Sequence, residues 1–170
     1  MNVWRRAAGR SSMQALSDYL FQDGDMMRQT LSIRQEFEAL AIDYWHEVDS
    51  NWGENAHEFY TEDATFTTSM KTRRGQMQIQ EFYRSRRQRG ARVSLHIVQN
   101  FRAEAISDNR ARCNYIMSLY AADGEPVLPS RPPIMIAAVT EILVRQPDQS
   151  WRYSERTLTA LFRDETPTTG

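Results

Sequence analysis

The sequence predicts an α+β protein: a cone-shaped α+β barrel in which a curved mixed or antiparallel sheet wraps a long N-terminal helix and two shorter helices. Three observations predict it. The first half places apolar residues at helical spacing. The second half consists of four long runs of strand character. Turn chemistry separates those runs. Helices first and antiparallel strands after is the α+β order. Runs this long must twist and curl, and a curled sheet closed on one side by helices encloses a pocket.

Residues 1–29 read as a helical appendage. Within it, 13–21 can form a short helix with Leu16, Tyr19 and Leu20 on one face, ended at Gly24. The main domain is expected over 30–163. Ser32 and Gln35 have capping-box spacing. The helix they open carries Ile33, Phe37, Leu40, Ala41, Tyr44 and Val48 on one face and should stop near Asp49, ahead of Gly53. A short second helix is expected over 55–60 and a short strand over 64–68. Met77, Ile79, Phe82, Tyr83 and Arg86 mark a third helix, with Gly90 just past its end. Strands are expected over 93–107, 111–122, 134–145 and 151–162. Residues 164–170 read as a loose tail.

Composition excludes several function classes. Of 170 residues, 21 are basic and 22 acidic, a net charge of -1. That is not the basic excess of a nucleic-acid binder. The one cysteine, Cys113, can form neither an internal disulfide nor a cysteine-rich zinc site. His46 and His57 lack partners at metal-ligand spacing. No metal and no cofactor is therefore expected. No apolar run is long enough to span a bilayer, and the first residues lack the apolar core of an export signal. A cytoplasmic protein with a small-molecule ligand, and without nucleic-acid or membrane partners, is the expectation. Arg84, Arg86, Arg87, Arg89 and Arg92 cluster around the third helix and read as a solvated face. The proline-rich 126–133 segment reads as a hairpin connection or as a rim over the pocket mouth.

Five segments occur in a telling order. They are Tyr44-Trp45-His46-Glu47-Val48-Asp49 followed by Trp52; Phe59-Tyr60-Thr61-Glu62-Asp63-Ala64-Thr65-Phe66; Gly75 with the helix after it; His96-Ile97-Val98-Gln99-Asn100; and Trp151-Arg152-Tyr153-Ser154-Glu155-Arg156. With these segments the chain over 30–163 resembles the nuclear transport factor two-like superfamily and, within it, the SnoaL-like proteins. The resemblance implies the cone fold and a homodimer through the convex sheet face. Some members, such as scytalone dehydratase and hexachlorocyclohexane dehydrochlorinase, place a catalytic Asp at the end of the first helix and a His on the strand after the third. Asp49 and His96 match those positions.

The chemistry of such a pair is well defined. A neutral imidazole abstracts a proton near pH 7. A carboxylate on its other nitrogen fixes the tautomer and stabilises the imidazolium. A purely structural Asp49 is disfavoured, because an acid at a helix C-terminus opposes the macrodipole. Asn100 lies four residues after His96 and should share its sheet face, where its amide could bind a substrate oxygen. Arg156 matches a position where the dehydrochlorinase carries a pocket Arg, and could bind a leaving anion or an enolate oxygen. Its alternative is an ion pair with Glu141 on the neighbouring strand. Tyr44 stands where the dehydrochlorinase has a Lys, which argues against dehydrochlorination. Tyr44, Trp45, Trp52, Tyr60, Phe66, Tyr115 and Met117 are candidates to line the pocket, which would suit an aromatic or polycyclic substrate.

Three functions compete on this fold. One is a cofactor-free lyase, dehydratase, isomerase or cyclase using His96 and Asp49. The second is a non-catalytic ligand-binding module. The third is a structural subunit resembling the small subunit of ring-hydroxylating dioxygenases.

Overall fold

The computed structural model describes residues 12–88 and 90–168, with 12–30 described as backbone. Contacts divide the chain into two units at 32/33. The first helix, α1, runs Ser12–Ser50 without a break. This corrects two expectations at once. Gly24 does not end a helix, and Ser32 does not cap one. No proline interrupts the segment. A single interior glycine costs only about 1 kcal/mol, so Gly24 is too weak to stop it. A capping serine needs a non-helical backbone, which Ser32 does not have.

In the second unit, α1 presents Phe37, Ala41, Tyr44, Trp45 and Val48 to the interior, each at most 3% exposed. These positions recur every three to four residues and form one stripe. The helix ends where the amides of Asn51 and Gly53 both bond to the carbonyl of Glu47. Gly53 takes φ +72 there, and a Cβ on it would lie 2.4 Å from Cδ1 of Tyr83. The expected second helix is only a single 3-10 turn, Ala56–Phe59. The chain is already extended at Tyr60.

The remaining elements are β1 (Tyr60–Thr67), β2 (Thr72–Arg74), α2 (Gly75–Arg87), β3 (Arg92–Ser107), β4 (Arg110–Asp123), β5 (Met135–Arg145) and β6 (Trp151–Arg163). The four long strands fall within one residue of the expected bounds. With β1 and β2 they form one six-stranded sheet in the order β2-β1-β6-β5-β4-β3. β1 pairs with β6 in parallel, and every other pair is antiparallel. The expected α+β cone is the fold observed.

Strand alternation delivers the inner face. β4 turns Ala111, Cys113, Tyr115, Met117 and Leu119 inward, and β5 turns Ala137, Val139, Glu141 and Leu143 inward. Irregularities interrupt this pattern at several points. The β3–β4 register slips between Gln99 and Arg102, and the β5–β6 register slips between Ile142 and Leu143. A bulge inserts a residue and re-aims everything after it. The 128–132 stretch of the proline-rich connection lies beside Val93, Leu95 and Tyr120. It does not line the interior cavity described below.

Candidate active site

Asp49 ends α1 opposite the start of β3, and three hydrogen bonds tie it there. The His96 backbone N–H donates to Oδ2 at 2.7 Å. The Ser94 hydroxyl donates to Oδ1 at 3.1 Å. The His96 imidazole lies with Nδ1 2.6 Å from Oδ1. A carboxylate is acceptor-only, so this contact assigns the proton to Nδ1 and leaves the lone pair on Nε2. The imidazole also stacks on Trp45, with centroids 4.1 Å apart and planes 13° from parallel. Its side chain is 5% exposed. Burial lowers the His96 pKa from its ordinary value, and the Asp49 hydrogen bond and charge oppose that without cancelling it. The imidazole is therefore neutral at pH 7.

His96 lines an interior cavity together with Trp45, Phe66, Phe82, Tyr83 and Met117. The cavity volume is about 60 Å³. By this measure a water needs roughly 10–15 Å³, so the cavity has room for a few waters. Leu119, Met135, Leu158 and Ala160 form the apolar wall, and Arg73, Arg86 and Arg163 also line the cavity.

Of the residues singled out in the sequence, His96, Trp45, Phe66 and Met117 line this cavity. Asp49 reaches His96 from outside it and lines a neighbouring cleft with Trp52, Arg86, Arg92 and Ser94. Trp52 therefore lines that neighbouring cleft and not the cavity beside His96. Its φ of 60 marks the turn that ends α1. Asn100 is not brought to the site. It sits at the β3 irregularity with φ 54 and is exposed. The extra residue there sends Phe101 inward in its place.

Tyr44, Tyr60, Tyr115 and Arg156 lie behind the cavity in a sealed polar cluster. Arg156 is fully buried. Its Nε donates to Glu141 Oε1 at 2.8 Å, and its Nη2 bonds the same oxygen. Its guanidinium carbon lies 3.5 Å from the Tyr44 ring centroid and 4.2 Å from that of Tyr153. The expected pocket role for Arg156 is thus replaced by its alternative, the ion pair with Glu141. Tyr115 donates to Glu141 at 2.7 Å and accepts from the Trp45 indole at 2.9 Å. Tyr44 bonds the hydroxyls of both Tyr60 and Tyr83. Burial pushes Tyr60, Tyr83, Tyr115 and Tyr153 well above the ordinary tyrosine value, so these phenols stay neutral. Burial works against the Arg156 charge, but the Glu141 carboxylate together with Tyr60, Tyr115 and Tyr44 outweighs it and holds that pKa well above its ordinary value.

Sequence reasoning missed Arg73, which lies on the three-residue β2 with no periodicity to announce it. It also misread Arg86 and Arg92. Arg86 is half-buried, with its guanidinium carbon 5.6 Å from the Tyr83 ring centroid. The Arg92 side chain is 7% exposed and bonds Asp123 at 2.5 Å. Neither lies on a solvated helix face. Among the described residues, no three His, Cys, Asp or Glu gather as a metal site. Nor, among them, is any helix long and apolar enough to cross a membrane.

No family model and no curated protein matches the sequence. Solved structures do match. One is a candidate scytalone dehydratase from Novosphingobium aromaticivorans. It is 15% identical over 86% of this chain and 93% of that one, with a TM-score of 0.68. A second, from the same organism, is an NTF2-like protein with a cystatin-like fold. It is 17% identical over 95% of this chain and 96% of that one, with a TM-score of 0.61. A third, from Catenulispora acidiphila, was solved in complex with S-DNPA. It is 16% identical over 76% of this chain and 94% of that one, with a TM-score of 0.63. At such identities the likeness establishes the fold. The chain has the nuclear transport factor two-like fold that its sequence resembles.

Proposed function

We propose that this protein is a lyase, dehydratase or isomerase that needs no cofactor and removes a proton from carbon in a small hydrophobic, aromatic substrate. The observation that carries this reading is the Asp49–His96 pair. Asp49 holds Nδ1 at 2.6 Å, Trp45 holds the ring plane, and the imidazole forms part of the cavity wall. Nε2 is then the base, and Asp49 stabilises the imidazolium that forms. Trp45, Phe66, Phe82 and Tyr83 offer aromatic faces to the substrate body. The likeness to a candidate scytalone dehydratase and to a ligand-bound relative supports the same reading.

Proton abstraction has a readout that does not need the true substrate. Incubation in D₂O with a panel of cyclic aryl ketones, followed by NMR, reports exchange at the carbon beside the carbonyl. Exchange above background that disappears in His96→Gln supports the reading. Equal exchange in wild type and His96→Gln overturns it.

A second reading, a non-catalytic binding module, draws on one observation. Asp49 makes as many hydrogen bonds to the β3 backbone and to Ser94 as a structural staple would. Saturable ligand binding without any exchange would favour it. The proposed homodimer rests on the outer sheet face, where Leu95, Ile97, Tyr120 and Phe162 are 39–69% exposed. Light scattering at micromolar concentration tests it, and a monomer would exclude it.

A further inference from the structure

The cavity wall holds three guanidiniums, those of Arg73, Arg86 and Arg163, and among the described residues it holds no carboxylate. Several other arginines find acids. Arg156 pairs with Glu141, Arg92 with Asp123, Arg87 with Glu54 and Arg112 with Glu104. Arg73, Arg86 and Arg163 have no carboxylate within 4.0 Å among the described residues.

Arg73 is the strongest case. It is 8% exposed, and its Nη1 is closed off from solvent with no hydrogen-bond acceptor among the described residues. Leaving a charged donor buried and unpaired is costly. An unpaired group of this kind in a cavity wall signals a missing acceptor. The guanidinium carbon stands 3.8 Å from the Phe82 ring centroid and 5.5 Å from that of Phe66. Stacking occupies the flat face of a guanidinium and leaves its edge for in-plane acceptors, the geometry that suits a two-oxygen anion.

From this arrangement we infer that the cavity takes a ligand with an oxyanion at one end, gripped by Arg73 with Arg86 and Arg163 beside it, and an aromatic body against Phe66, Phe82 and Trp45. The inference rests on the cavity reading above and narrows its substrate class to aromatic carboxylates or other aromatic oxyanions. The guanidiniums would also draw electron density away from a carbon near the anion, and so favour loss of its proton to His96.

The test is calorimetric titration of the full chain with 2-naphthoate and with its neutral counterpart 2-naphthamide. Charge-assisted hydrogen bonds contribute about ten- to a hundredfold in affinity, so naphthoate should bind tighter by that factor. Arg73→Gln should bring the ratio near one, with little change for the amide, and Arg73→Lys should keep part of it. Equal or tighter binding of the amide by wild type overturns the inference. So does the absence of saturable naphthoate binding below millimolar concentration, or an unchanged ratio in a folded Arg73→Gln. The wild-type ratio needs no variant, so poor folding of a variant leaves the test intact. The ratio is read without turnover, so a failure of the proton-abstraction reading is seen separately in the exchange experiment.

Discussion

Glu141 on β5 and Arg156 on β6 stand directly opposite one another in the sheet register and form an ion pair 0–1% exposed to solvent. Five aromatic side chains surround it: Tyr44, Trp45, Tyr60, Tyr115 and Tyr153. The pair consumes the arginine that family resemblance would have placed in the pocket. Glu141→Leu or Arg156→Met should each destabilise the fold by about 3–5 kcal/mol, since each leaves its partner charged and buried. The double variant should lose less than the sum of the two. Equilibrium urea unfolding of the three variants checks this, and strict additivity would contradict the coupling.

Asp49→Asn should lower the His96 pKa further, because the carboxylate is what opposes the effect of burial. NMR titration of the imidazole in wild type and variant reads this directly. An unchanged midpoint would separate the two residues in solution.

The lowered His96 pKa also fixes the sign of a pH effect. The ordinary value is 6.5 and the folded value lies below it. The unfolded chain therefore takes up the proton first as pH falls. Stability from this group is complete above about pH 6.5 and declines as pH falls towards the folded pKa. Below the folded value the decline from this group stops. Thermal melts between pH 7.5 and 4.5 should show a lower Tm on the acid side that is smaller in His96→Gln. The rate of proton abstraction should rise through the folded pKa and reach a plateau before neutrality.

Gly53→Ala should destabilise by about 1–3 kcal/mol. The new methyl meets the Tyr83 ring at 2.4 Å, and φ +72 disfavours any side chain. Tyr83 is part of the cavity wall, so ligand affinity should fall together with Tm. A change in Tm alone would mean that the ring had yielded without moving the wall.

Cys113 is 0% exposed, and burial together with the nearby Glu141 raises its thiol far above the ordinary value. A disulfide reagent should label it only as fast as the sheet opens. Labelling should accelerate steeply across the urea transition, whereas fast labelling in native buffer would place the β4–β5 centre among the readily opening parts.

The long strands were readable because they alternate over eleven or more residues and end at strong turn residues. Their bounds followed within a residue. The pairing of Asp49 with His96 was readable because the resemblance implies an acid at the end of the first helix facing a histidine on the strand after the third, and the two side chains do meet. The fate of Asn100 was hidden. Alternation places it beside His96, and only a local slip in register with left-handed backbone at Asn100 sends Phe101 inward instead. Arg156 could be narrowed to two partners, but choosing Glu141 required the β5–β6 register. Arg73 gave no signal, because a three-residue strand has too little length for a pattern. Gly24 misled by its type, since a glycine ends a helix only when the chain beyond it gains by turning away.

Trp45 and Tyr83 are both wall residues of the cavity and both are tied into the sealed cluster behind it, one through Tyr115 and the other through Tyr44. That half of the wall can be altered only by disturbing a connected set of hydroxyls around a buried charge pair. The opposite half, built from Met117, Leu119, Met135, Leu158 and Ala160, is held by shape alone. Divergence or redesign towards a different ligand has its freedom there: those side chains can be traded for larger or smaller ones while the base, its carboxylate and the aromatic panel keep their places.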